Sequence, residues 1–93
     1  MTTLLVGDLV IPEKYLIYVH SPLENRLQFV IQCDDEQSEQ IVERVDRLTK
    51  VDSLKFQYVD IVGVEMSGTC RINSKLKEEK KLLVELEILQ RNH

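Results

Sequence analysis

Alanine and tryptophan are absent from this 93-residue chain, and glycine (three), proline (two), cysteine (two) and histidine (two) are scarce. Two cysteines are too few for a disulfide scaffold, and Cys33 and Cys70 form no C-x-x-C motif, so buried thiols are expected. Gly7, Gly63 and Gly68 are isolated, which excludes a glycine-rich loop cradling phosphate. With only His20 and the terminal His93, no triad is evident, and a metal site would need ligands gathered from far apart. No apolar run approaches the ~20 residues of a membrane-spanning helix. Residues 1–15 lack a basic start followed by an apolar core, so a cytoplasmic protein without membrane contact is expected.

What is abundant is aliphatic. Leucine, valine and isoleucine number 13, 11 and 7, beside 30% charged residues and a net charge of −4. That balance excludes a disordered acidic tail and predicts one small α+β domain over 1–93. A domain this short buries only roughly 60–65% of its unfolded surface, so aliphatic residues beyond one core's capacity point to a partner. Mild acidity disfavours a dedicated nucleic-acid binder.

The first third reads as strands. Leu4–Val6 and Leu9–Ile11 flank Gly7-Asp8 as either one bulged strand or a small hairpin. Tyr15–His20 and Arg26–Cys33 are joined by Ser21–Asn25. In the second run Leu27, Phe29, Ile31 and Cys33 alternate with Arg26, Gln28, Val30 and Gln32, which predicts an antiparallel hairpin. The period then changes. Asp34 or Asp35 can cap a helix over about 35–50, with Gln37 or Ser38 completing a capping box. Ile41, Val42, Val45 and Leu48 form its single apolar stripe. Asp34, Asp35, Glu36 and Glu39 suit the positive end of that helix and lack calcium-loop spacing. Strand character resumes from Leu54 past Met66, with a turn at Ser67-Gly68 and a short return strand at Thr69–Ile72. The expected core is Leu27, Phe29, Ile31, Ile41, Val45, Leu48, Phe56, Val62 and Val64, with Gln28, Gln32, Glu43 and Arg47 exposed.

A last helix, capped by Asn73 or Ser74 and reaching about Asn92, completes the expected order βββ-α-ββ-α around a mainly antiparallel sheet. On its wheel Leu76, Leu82, Leu83, Leu86 and Leu89 fill an arc of about 140°, while Val84 and Ile88 lie on the far side. A helix with two apolar faces has something left to cover, which nominates Leu82, Val84, Leu86, Ile88 and Leu89 as a partner interface. The segment 71–81 is locally basic, and Arg71, Lys75, Lys77, Lys80 and Lys81 are its candidate phosphate contacts. This element order is similar to the later part of the class I type III secretion chaperones, small acidic dimeric proteins with a further helix in front that has no counterpart here. The resemblance is one of topology and implies an interaction role.

No constellation of catalytic side chains or cofactor ligands emerges, so no cofactor is expected. The first expectation is a non-enzymatic protein-interaction module, chaperone-like or regulatory, that binds a second copy or a client protein. The alternative is a nucleic-acid-associated regulator of phage or plasmid type that uses the basic segment.

Overall fold

In a computed structural model, residues 3–59, 62–63 and 65–92 are described. Seven strands form one wholly antiparallel sheet: β1 (Thr3–Val6), β2 (Leu9–Ile11), β3 (Leu16–His20), β4 (Arg26–Gln32), β5 (Leu54–Val59), β6 (Glu65–Glu78) and β7 (Lys81–Arg91). Among the described residues the one α-helix, α1 (Glu36–Asp46), joins β4 to β5. The strand order is β2-β1-β5-β6-β7-β4-β3, curled into a half-barrel.

Connectivity explains the curl. β2 and β3 occupy opposite edges of the sheet, yet only Pro12 and a 3₁₀ turn at Glu13–Tyr15 separate them. Seven strands laid flat would hold their outer members roughly 29 Å apart. Five Cα–Cα steps from Ile11 to Leu16 reach at most about 18 Å. The sheet must therefore bend, and its concave side becomes the core.

That core gathers alternate residues of the strands: Leu4 and Val6; Leu27, Phe29 and Ile31; Cys70 and Ile72; and Leu82, Val84, Leu86 and Ile88. Ile41, Val42 and Val45 of α1 pack against them. The helix starts as its sequence predicts. The Ser38 N–H donates to Asp35 Oδ1 (2.9 Å) and the Asp35 N–H donates back to Ser38 Oγ (2.9 Å), a closed capping box. The hydroxyl of buried Tyr15 donates to the same carboxylate, its oxygen 2.7 and 2.9 Å from the two Asp35 oxygens. This ties the edge-to-edge connector to the head of the helix. Gly7 opens the two-residue turn between β1 and β2 with φ +64°, so the N-terminal segment is a hairpin. Gly68 faces Phe56 inside the sheet, where a Cβ would stand 1.9 Å from the Gln90 carbonyl oxygen. Only glycine fits there.

The expected α+β architecture with two helices is corrected. The expected turn at Ser67-Gly68 lies within β6, and residues 73–92 are not a helix but the end of β6, a Glu79-Lys80 turn and β7. Leu82, Val84, Leu86 and Ile88 are all even-numbered. On a strand they share one face, whereas a helical wheel scatters them over two. β7 meets β4 residue for residue, with Leu27 opposite Leu86, Phe29 opposite Val84 and Ile31 opposite Leu82. This long-range pairing overrides the helix-favouring Leu, Glu and Lys content of the segment. The topological likeness to the secretion chaperones dissolves with that helix. Three smaller expectations change too: α1 ends at Asp46, leaving Leu48 half-buried beyond it; Val62 is 79% exposed; and Gln28 and Gln32 are half-buried. Val64 lies outside the described residues.

Candidate functional site

The concave side is largely filled by the core and α1, and the outer side of the sheet is open to solvent. There β4, β7 and β6 place rows of residues directly across from one another. Two rows are polar and mutually satisfied. Glu87 lies between two guanidinium groups, Arg26 Nη1 at 3.0 Å and Arg71 Nη2 at 2.6 Å. Glu85 accepts from Gln28 Nε2 (2.6 Å) and from the Asn73 amide, with Arg26 Nε at 3.6 Å. Both carboxyls are held below their ordinary range, Glu87 by Arg71 and Arg26, Glu85 by the amides of Gln28 and Asn73 and then by Arg26. Carboxylates gripped in this way are poor proton donors near neutrality and serve to zip the strands.

The neighbouring row is apolar. Tyr18 of β3 lies opposite Val30 of β4, Val30 opposite Leu83 of β7, and Leu83 opposite Leu76 of β6. The four line a shallow groove of about 300 Å³. Tyr18 is 46% and Leu76 59% exposed, while Val30 and Leu83 are half-buried. A contiguous apolar row beside charged residues is a candidate contact surface. Its open end is β3, where the His20 ring stands 5.7 Å from that of Tyr18.

The residues nominated from sequence fall elsewhere. Leu82, Val84, Leu86 and Ile88 close the chain's own core, Val84 and Ile88 being 3% and 8% exposed. Of that set only Leu89 is open to solvent, next to the irregularity that interrupts the β6–β7 ladder between Thr69 and Cys70. The five candidate phosphate contacts are dispersed. Arg71 is paired with Glu87 on the outer face. A bulge at Asn73/Ser74 turns Lys75 to the inner side, where its Nζ donates to the carbonyls of Asp46 and Leu48 (2.7 Å to the latter) and lies 3.8 Å from the Asp46 carboxylate. It complements the negative end of α1. Lys77, Lys80 and Lys81 stand at the β6–β7 turn among Glu78 and Glu79.

The thiols differ from each other. Cys70 is buried, and burial pushes it up to about 11; Cys33 is half-buried beside the cleft between α1 and the β6–β7 turn. Among the described residues no group of three or more His, Cys, Asp or Glu side chains could hold a metal ion, and no helix is long and apolar enough to cross a membrane.

The outer row is not legible as a row in the sequence because its members come from four separate strands. One signal for it was visible: Val30 breaks the otherwise polar set Arg26, Gln28 and Gln32. No protein-family model matches the chain, and no curated protein or solved structure matches it.

Proposed function

We propose that this protein is a non-enzymatic protein-interaction module that acts as a homodimer, using the end of the sheet where the outer apolar row meets β3. The observation that supports this is the row itself. Four aliphatic or aromatic side chains are aligned across four strands, beside two rows whose carboxylates are paired with Arg26, Arg71, Gln28 and Asn73. The carboxylates of the two polar rows are engaged by Arg, Gln and Asn side chains, whereas the apolar row has surface to cover. No observation favours the nucleic-acid alternative, since the candidate cations do not form one surface.

Light scattering or sedimentation at micromolar concentration tests the reading. The expected mass is twice the 10.9 kDa of the chain. Tyr18→Lys, which alters the one residue common to the row and to β3, should shift it toward a single chain with an unchanged circular dichroism spectrum. A wild-type mass of 10.9 kDa across that range overturns the proposal.

A further inference from the structure

The two edges of the sheet are built differently. β2 is three residues long and is bracketed by Asp8 and Pro12, a short edge closed by a residue without an N–H. β3 is five residues, Leu-Ile-Tyr-Val-His, without lysine, acid or proline. Ile17 and Tyr18 are 48% and 46% exposed. Among the described residues, the backbone groups of Ile17–His20 make no hydrogen bond beyond the ladder with β4. The bulge at Ile17 bends the start of the strand but adds no charge. Outward-facing N–H and C=O groups on such a strand are a template for another strand.

We propose that β3 pairs antiparallel with β3 of a second copy about a two-fold axis normal to the sheet, joining the two sheets edge to edge. This rests on the dimeric interaction reading above and supplies its geometry. Three features select a second copy as the occupant. In a two-fold antiparallel pair a charge near the axis would face its own copy; β3 carries no Lys, Arg, Asp or Glu. The alternative head-to-tail union of β3 with a neighbour's β2 would propagate into a fibre, and the three-residue β2 ending at Pro12 offers it little to pair with. Finally, the row Leu76–Leu83–Val30–Tyr18 runs across the strands and ends on β3. A two-fold normal to the sheet keeps both outer faces on one side, so the two rows meet at the axis as one apolar band.

Two substitutions separate edge pairing from face-to-face stacking of the outer rows. Ile17→Lys places a cation on the edge outside the row; Leu76→Lys places one in the row, three strands away from the edge. Edge pairing expects Ile17→Lys to run as a single chain and Leu76→Lys to keep the doubled mass, both with wild-type circular dichroism. The reverse result overturns the edge geometry while leaving the dimer reading standing. A wild-type protein that is already a single chain overturns both.

Cross-linking provides a second measurement, independent of charge. Single cysteines at Ile17, Tyr18 or Val19 in a Cys33→Ser background should give an intermolecular disulfide under mild oxidation at whichever position lies on the axis. Directly opposed residues there stand ~4.5–5.5 Å apart, within disulfide reach. Cross-linking from Leu83→Cys instead, with none from the three β3 positions, overturns the proposal.

Discussion

The inner and outer faces of β4, β7 and β6 are made by the same strands, residue by alternate residue, and they do opposite work. The inner face is mostly aliphatic: Leu27, Phe29, Ile31, Ile72 and the even-numbered aliphatics of β7 close on α1, with the capping Ser38 and the Lys75 ammonium as the polar groups at the two ends of the helix. The outer face is divided into clamped carboxylates and an uncovered apolar row. Apolar burial inside needs no partner beyond this chain. The outer row keeps exposed apolar surface at Tyr18 and Leu76, and its Tyr18 end lies on β3, the edge at which a second copy would join.

The contrast breaks most visibly at Phe29 and Val30, adjacent residues on opposite faces. Phe29→Ala should cost ~3–5 kcal/mol, a large part of the stability of so small a domain. Val30→Ala should cost less than about 1 kcal/mol. Chemical denaturation of the two variants checks this; equal losses would mean the faces are misassigned. Next in size is the head of the helix. Ser38 is fully buried and its hydroxyl and N–H complete the capping box, so Ser38→Ala should cost about 1–2 kcal/mol. A melting temperature equal to wild type would remove the box from the account.

Acid provides the next test. Glu85 and Glu87 are held below their ordinary 4.5, and Asp35 below 3.8 by the Ser38 N–H and then the Tyr15 hydroxyl. The unfolded chain therefore binds these protons more readily than the folded one. The stability they contribute is present above those ordinary values and is lost as pH falls through the lower folded ones. Melting temperatures recorded from neutral pH down to about pH 3 should decline along that limb, and Glu87→Gln should make the decline shallower. A variant whose acid limb overlays the wild type would show that the Arg26–Glu87–Arg71 clamp contributes nothing. The thiols offer a smaller reading without affecting the fold. Cys33 should react with a thiol reagent in the native state well before Cys70, which stays protonated until the chain opens. Equal rates would place both thiols at the same depth.

Much of this fold was legible, and the reason lies in how local each signal is. The β3–β4 hairpin combines β-branched and aromatic residues with a five-residue loop, and the α1 cap is written in four consecutive residues, Asp35 to Ser38. All of that information is within one element. β7 is different. Its Leu, Glu and Lys content favours helix, and the Glu79-Lys80 turn contains no Gly or Asn; among the described residues no non-glycine residue has positive φ. What makes it a strand is β4, some fifty residues earlier, whose pattern it matches side chain for side chain. The apparent second apolar face of a C-terminal helix was the inner face of a strand, seen at the wrong period. The outer row was hidden for a related reason. Tyr18, Val30, Leu76 and Leu83 become neighbours only after β3, β4, β7 and β6 are in register, and a bulge at Asn73/Ser74 keeps Leu76 on that face.

The smallest effect on stability should come from Leu76, and it sharpens the comparison of faces most. The side chain is 59% exposed near the end of β6, opposite the half-buried Leu83. Little apolar surface is removed from water when the chain folds, so Leu76→Ser should change unfolding free energy by no more than about 0.5 kcal/mol. Serine keeps the backbone ladder, and the position is on the side away from α1, so no cavity opens in the core. With β3 as the dimer edge, three strands away, the doubled mass should persist as well. The same truncation one residue later in the ladder, at inner-facing Leu82, leaves a void beneath α1 and should cost several-fold more. Denaturation of the two serine variants side by side measures the difference between the faces directly. A loss at Leu76 approaching that at Leu82 would mean the outer row is already covered within the single chain, and its claim as a contact surface would end there.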